Sequence, residues 1–172
     1  TNFGNPICSF EHWDIFYRCY ANTYHQRGNQ PYLTPAFFEA VGATLSEHCV
    51  LALAYQDEQA IAASLLWLDT TNGQRRLYGR YWGALQHVDC LHFELAYYTP
   101  LAWALKNDIA VIEGGAQGEH KLARGFEPVQ TQSAHWLAHP SFSDAVERFL
   151  RQEGKGMEAY VGELNERNPF KS

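Results

Sequence analysis

Between residues 10 and 24, Phe10, Trp13, Tyr17, Tyr20 and Tyr24 recur at steps of three and four, the period of one helix face. Ser9 can cap that helix, Glu11 and Asp14 stand near its positive end, and Arg27-Gly28 close it. A second helix starts where Thr34 can serve as N-cap and Pro35 fills the first turn. Phe37, Phe38, Val41 and Leu45 supply its apolar side, and it ends near Ser46. The period then shortens. CVLALAYQ (49–56), AIAASLLWLD (60–69) and RRLYGRYWGAL (75–85), bounded by Asp57-Glu58 and Thr71-Asn72-Gly73, predict three strands of an antiparallel meander.

Leu91, Leu95, Tyr98, Ala102 and Leu105 mark a long helix that Pro100 should kink or divide. IAVIE (109–113) has the unbroken apolar character of a buried strand. A glycine-rich run (114–118), a short helix over EHKLARGF and a strand over 128–138 follow. Phe142, Ala145, Val146, Phe149 and Leu150 predict an amphipathic helix, Gly154-Lys155-Gly156 interrupts it, and Met157, Tyr160, Val161 and Leu164 predict one more. This order gives an α/β layer fold with a mixed, mostly antiparallel sheet flanked by helices.

Composition narrows the function classes. At 172 residues, 46% hydrophobic and 15% aromatic, the chain can bury a substantial core, and disorder is excluded. Thirteen Lys and Arg against nineteen Asp and Glu give a charge of -6, which argues against DNA binding and makes any anion site local. Cys8, Cys19, Cys49 and Cys90 lie far apart and read as buried thiols of a reducing, cytoplasmic compartment. No run reaches the roughly 18 to 20 apolar residues of a membrane span, and the first residues lack the features of a secretory signal. Because the chain begins at Thr1 it reads as part of something longer.

Candidate chemistry gathers after the predicted strand 109–113. Gly114, Gly115 and Gly118 would let backbone N–H groups approach an anion, with Lys121 and Arg124 behind them; a tight turn with solvated charges is the other reading. The spacing fits neither Gly-Lys-Ser/Thr nor G-x-G-x-x-G. Glu113, after four apolar residues, is either ion-paired with His120, Lys121 or Arg124, or a general base for an amine. His92 and Glu94 open the long helix, either as helix-start residues or as substrate contacts. With Glu119 and His120 they do not make a metal-binding pattern. Strand alternation puts Arg76 and Arg80 on one face and Arg75 on the other; a solvated face, or a cationic pocket of Arg80 with Lys121 and Arg124, are the two outcomes. Trp82, Tyr97, Tyr98 and Trp136 read as core or pocket wall.

The stretches RYWGALQHVDCLHFELAYY (80–98) and IEGGAQGEHKLARGF (112–126), with Thr131, Ser133 and His135 before Trp136, resemble the FemAB-like family, described as peptidoglycan biosynthesis or recognition proteins within the GNAT-like acyltransferase superfamily. The resemblance implies a single GNAT-like domain over residues 1–172, the C-terminal half of a longer two-half protein. It implies transfer of an acyl group from acyl-CoA or aminoacyl-tRNA to a small-molecule or peptide amine. A non-catalytic peptidoglycan or peptide recognition module is the alternative, and a half that merely completes a two-domain enzyme is a third. On this likeness the catalytic candidates are Glu113, His92 and Glu94; the ligand-binding ones are Arg80, Trp82, Gly114, Gly115, Gln117, Gly118, Glu119, His120, Lys121 and Arg124. GNAT enzymes hold the donor pyrophosphate on an R/Q-x-x-G-x-G/A turn. The nearest string here, Arg80 to Leu85, ends in leucine and falls in a strand-like segment.

Overall fold

A computed structural model describes residues 2–3, 10–71, 73–115, 119–167 and 169, in two units, Thr1–Gly115 and Ala116–Ser172. Ser9, Cys8 and Asn72, named above, lie outside the described residues.

The first unit is an α/β layer structure on a five-stranded sheet with strands in chain order: β1 (Asn2–Phe3), β2 (Cys49–Gln56), β3 (Gln59–Asp69), β4 (Arg76–Ala84) and β5 (Val111–Glu113). All neighbours are antiparallel except β4 and β5, which run parallel, so the sheet is mixed as its sequence pattern implies. The short β1 has no periodicity to reveal it.

β2 and β3 carry almost continuous apolar runs because both faces of the sheet are covered. On one face Leu51, Leu53, Ala63 and Leu65 pack with Trp13, Phe16 and Tyr20 of α1 (Phe10–His25) and with Phe38 and Val41 of α2 (Pro35–Thr44). On the other, Leu66, Leu68 and Leu77 meet Ala104, and Ala52, Ala62 and Ile61 meet Leu95. Thr34 caps α2 through its hydroxyl, which accepts the N–H of Phe37.

The expected long helix is α3 (Leu91–Phe93), a π-helical turn (Glu94–Tyr98) and α4 (Thr99–Lys106). Pro100, which lacks a donor N–H, stands in the first turn of α4, immediately after the wider turn. β5 is shorter than 109–113 and only half-buried to exposed, since it pairs with β4 over three positions. Cys19 and Cys49 are buried. Cys90 is exposed, contrary to expectation, because its left-handed backbone (φ 63°) turns the chain into α3.

In the second unit a 3-10 helix, Glu119–Arg124, replaces the expected short helix, and α5 spans Pro140–Glu166. Two expectations fail here. The segment 128–138 forms no strand: it has no ladder partner among the described residues, and Trp136, expected in core or pocket wall, is 85% exposed. Gly154-Lys155-Gly156 does not break the last helix; each glycine costs only about 1 kcal/mol relative to alanine, which a 27-residue helix absorbs.

Candidate functional site

β4 is where the first unit opens. Leu65 pairs with Tyr81 and Leu66 with Gly79, leaving Arg80 as the extra residue of a β-bulge. The bulge reverses the alternation. Leu77 faces the α4 side, whereas Tyr81, four residues on, packs among Phe16, Tyr20 and Phe38 on the α1 side. Arg76 and Arg80 therefore do not share the simple face that alternation assigns them.

The bulge also marks where β5 stops. Parallel pairing ends at Tyr78 with Glu113, and Gly79 lies close to the turn that follows: a Cβ there would stand 3.5 Å from the Glu113 carbonyl oxygen. Beyond it, the outer edge of β4 from Arg80 to Ala84 pairs with no strand among the described residues. α1 covers part of that edge. Thr23 Oγ1 donates to the Trp82 carbonyl at 3.3 Å and Asn22 Nδ2 to the Ala84 carbonyl at 2.6 Å. The N–H groups of Trp82 and Ala84 point the same way as their carbonyls, because both backbone groups of a strand residue share one side. Gly83 permits this approach, since a Cβ would sit 2.0 Å from the Cys19 carbonyl oxygen.

Glu113 ends β5, its side chain about half exposed, and its ion partner is Arg76 at 3.7 Å, not one of the three cations the sequence suggested. Arg75 donates to the Asn107 carbonyl at the end of α4. Gly115 has φ 79°, a conformation that favours glycine. Gln117 and Gly118 lie outside the described residues, and Glu119 begins the 3-10 helix of the second unit. There Arg124 donates to the His120 carbonyl at 2.6 Å, and desolvation lowers the pKa of the half-buried Lys121 ammonium. Gly114 and Gly115 thus belong to the first unit, and His120, Lys121 and Arg124 to the second.

His92 lies edge-on to Trp82, with ring centroids 4.8 Å apart, and edge-on to Tyr97 at 5.6 Å. The Trp82 indole N–H is buried with no hydrogen-bond partner among the described residues, which costs about 1–3 kcal/mol. Glu94 is exposed and accepts the Thr99 hydroxyl at 2.7 Å.

A cavity of about 220 Å³ opens between the end of α1 and β4, lined by Tyr20, Thr23, Tyr24, Arg27, Asn29, Arg80, Tyr81 and Trp82. The Arg80 guanidinium lies 4.6 Å from the centre of the Tyr81 ring. The Tyr81 hydroxyl bonds that of Tyr32 at 2.9 Å, and Tyr20 meets Tyr81 edge-on at 5.2 Å. Burial, then the bond to Tyr32, pushes the Tyr81 phenol up to about 12. Tyr20 and Tyr24 are also raised, first by burial. Tyr32 is lowered, chiefly by its bond to Tyr81, with Arg80 adding to the effect.

The FemAB-like family model, described as peptidoglycan biosynthesis/recognition, matches residues 3–172. The chain belongs to the FemAB-like family. Comparison with curated proteins gives no match. Among solved structures, this FemAB-like chain is similar to a possible acetyltransferase from Clostridium difficile 630, at 10% identity and a TM-score of 0.54, covering 77% of this chain and 95% of that one. It is similar to an aminoglycoside acetyltransferase from an uncultured soil metagenomic sample, solved with sisomicin, at 8% identity and a TM-score of 0.55, covering 80% and 93%. An aminoglycoside N-acetyltransferase in complex with CoA matches at 14% identity and a TM-score of 0.50, covering 76% and 89%. At such identities these likenesses establish the fold, which is GNAT-like.

Arg27, Tyr20, Tyr24, Tyr32 and Tyr81 are the residues that sequence reasoning missed as a group. The tyrosines of α1 carry the core-facing period, and Arg27 reads as a helix terminus. Only the bulge, invisible in sequence, brings Arg80 to line the same cavity as Arg27.

Proposed function

We propose that this FemAB-like chain is an N-acyl- or aminoacyltransferase that moves an acyl group from an activated donor to an amine. The observation that supports it is the parting of β5 from β4 after Tyr78, which leaves the Trp82 and Ala84 amides facing an edge without a strand among the described residues. In this reading the donor carbonyl lies against that edge. The amine nitrogen attacks the carbonyl carbon, the C=O electron pair moves onto oxygen, and the two amides hold the oxyanion. The intermediate collapses as the new N–C bond holds and the thiolate or ribose oxygen leaves. Glu113, kept beside Arg76, takes the proton from the amine.

His92 and Glu94 are assigned supporting places. His92 packs against Trp82, whose indole N–H supplies a further donor for ligand oxygen, and Glu94 is tied to Thr99. Gly114 and Gly115, at the end of the first unit, are further ligand contacts in this reading.

Of the two donor classes, aminoacyl-tRNA is favoured. Arg80 to Ala84 lie in β4 rather than in a turn, and the loop that does lead into α3, Leu85 to Cys90, has no glycine and carries Asp89. Asp89, exposed and paired with His87 just ahead of that helix, adds a negative charge and no N–H cradle for a pyrophosphate. The same loop is what favours the second reading, a recognition module without turnover.

Transfer to a lysine-containing peptide, assayed separately with acetyl-CoA and aminoacyl-tRNA, tests the proposal. The expected result is product from aminoacyl-tRNA, falling roughly 10²- to 10⁴-fold in Glu113→Gln. Peptide binding with no product from either donor overturns it in favour of recognition.

A further inference from the structure

The cavity beside Arg27 and Arg80 shares Trp82 with the β4 edge of the transfer chemistry above, but neither arginine takes part in that chemistry. Two guanidinium-bearing residues line it, from the end of α1 and from the β4 bulge, and no ion pair engages either of them among the described residues. The groups that shift its tyrosines are burial, other tyrosines, the backbone of Leu33 and Arg80; no carboxylate is among them. Both arginines are exposed at the cavity's mouth, so water carries their charges in the free protein and leaves their donors open to an anion.

The end of α1 opposes this, but weakly. A helix C-terminus carries roughly half a negative charge, against two full positive ones. The sum favours an anion, and the donors decide which kind. Guanidinium groups present paired N–H donors matched to a carboxylate or phosphate, and Asn29, Thr23 and Tyr24 offer neutral polar groups around them.

Arg80 is also preorganised. Its guanidinium rests on the Tyr81 ring, and Tyr81 is fixed by Tyr32 and by the packed rings of Phe16, Tyr20 and Phe38. A cation held in this way loses little freedom on binding. The volume, about 220 Å³, falls short of the roughly 300–1,000 Å³ that encloses a whole drug-sized ligand, so the cavity suits a terminal group.

We infer that this cavity binds the oxyanion end group, carboxylate or phosphate, of a ligand through Arg27 and Arg80 against the tyrosine wall. The inference goes beyond the transfer reaction and does not depend on it, because its test reads binding and not turnover.

The side-chain Nε–H signals of Arg27 and Arg80 are followed by NMR in the intact protein during titration with trialanine, its C-terminal amide and inorganic phosphate. Trialanine is expected to shift both signals saturably, with the amide weaker by about ten-fold or more. Arg27→Gln and Arg80→Gln should each weaken trialanine by at least that factor, whereas Lys106→Gln, on α4, should leave it unchanged. Phosphate that saturates the same signals and fails in the same variants upholds the site and assigns a phosphate source. No saturable shift with any of the three probes, or equal binding of acid and amide without phosphate binding, overturns the inference. So does full affinity in the two arginine variants. Far-UV circular dichroism separates misfolding from lost binding, and Arg80→Lys, which keeps the charge, should retain part of it.

Discussion

Cys19 shows how one side chain ties the fold to pH. Its thiol is wholly buried between α1 and the sheet, near the point where Gly83 lets the helix approach β4. Burial raises its pKa from 9.0 to about 11. The folded state therefore holds the proton more tightly than the unfolded chain. The stability this gives is complete below pH 9 and is lost as pH climbs towards about 11, a change of roughly 3 kcal/mol. Tyr81, raised to about 12, extends the loss upward from its ordinary value of 10.0. Denaturant titrations should show stability falling from about pH 9, with Cys19→Ala removing the portion between pH 9 and 11. An unchanged slope in that variant would contradict the assignment. Nothing in the sequence separates Cys19 from Cys90; burial does, and burial of one and exposure of the other follow from α1 packing and from the turn into α3.

At the scale of elements, periodicity revealed what periodicity produces. α1, α2 and β2 to β4 lie where their apolar spacing puts them, because the helices bury one continuous face each and the strands pack against clusters on the two sides of the sheet. Elements set by partners were harder to read. Residues 128–138 have strand-like residues but no ladder among the described residues, and β5 is cut to three by the divergence from β4. The bulge at Arg80 flips the later half of β4, so a face read by alternation came out reversed. In α5 the glycines were read as a break, yet neither Gly154 nor Gly156 has a neighbour that a Cβ would touch. Replacing both by alanine should increase helix content and stabilise α5 by up to about 2 kcal/mol. Circular dichroism melting checks this; a loss of helix would mean that the glycines serve a contact.

For the whole molecule, family membership and the GNAT-like fold were legible in GAQGEHKLARG and its neighbours, whereas the site was legible only in pieces. Glu113 was found for its place at a strand end, but its partner, Arg76, comes from the parallel strand beside it, a relation that linear spacing does not carry. The net negative charge likewise conceals a basic cavity, because charge totals say nothing of where two arginines converge. The central claim concerns the edge of β4 that β5 leaves behind. Its most direct test is to record the backbone amide signals of Trp82 and Ala84 while aminoacyl-tRNA and, separately, acetyl-CoA are added to the intact protein. The account predicts saturable shifts of both amides with aminoacyl-tRNA. Unmoved amides with both donors, in a protein that stays folded, would contradict it.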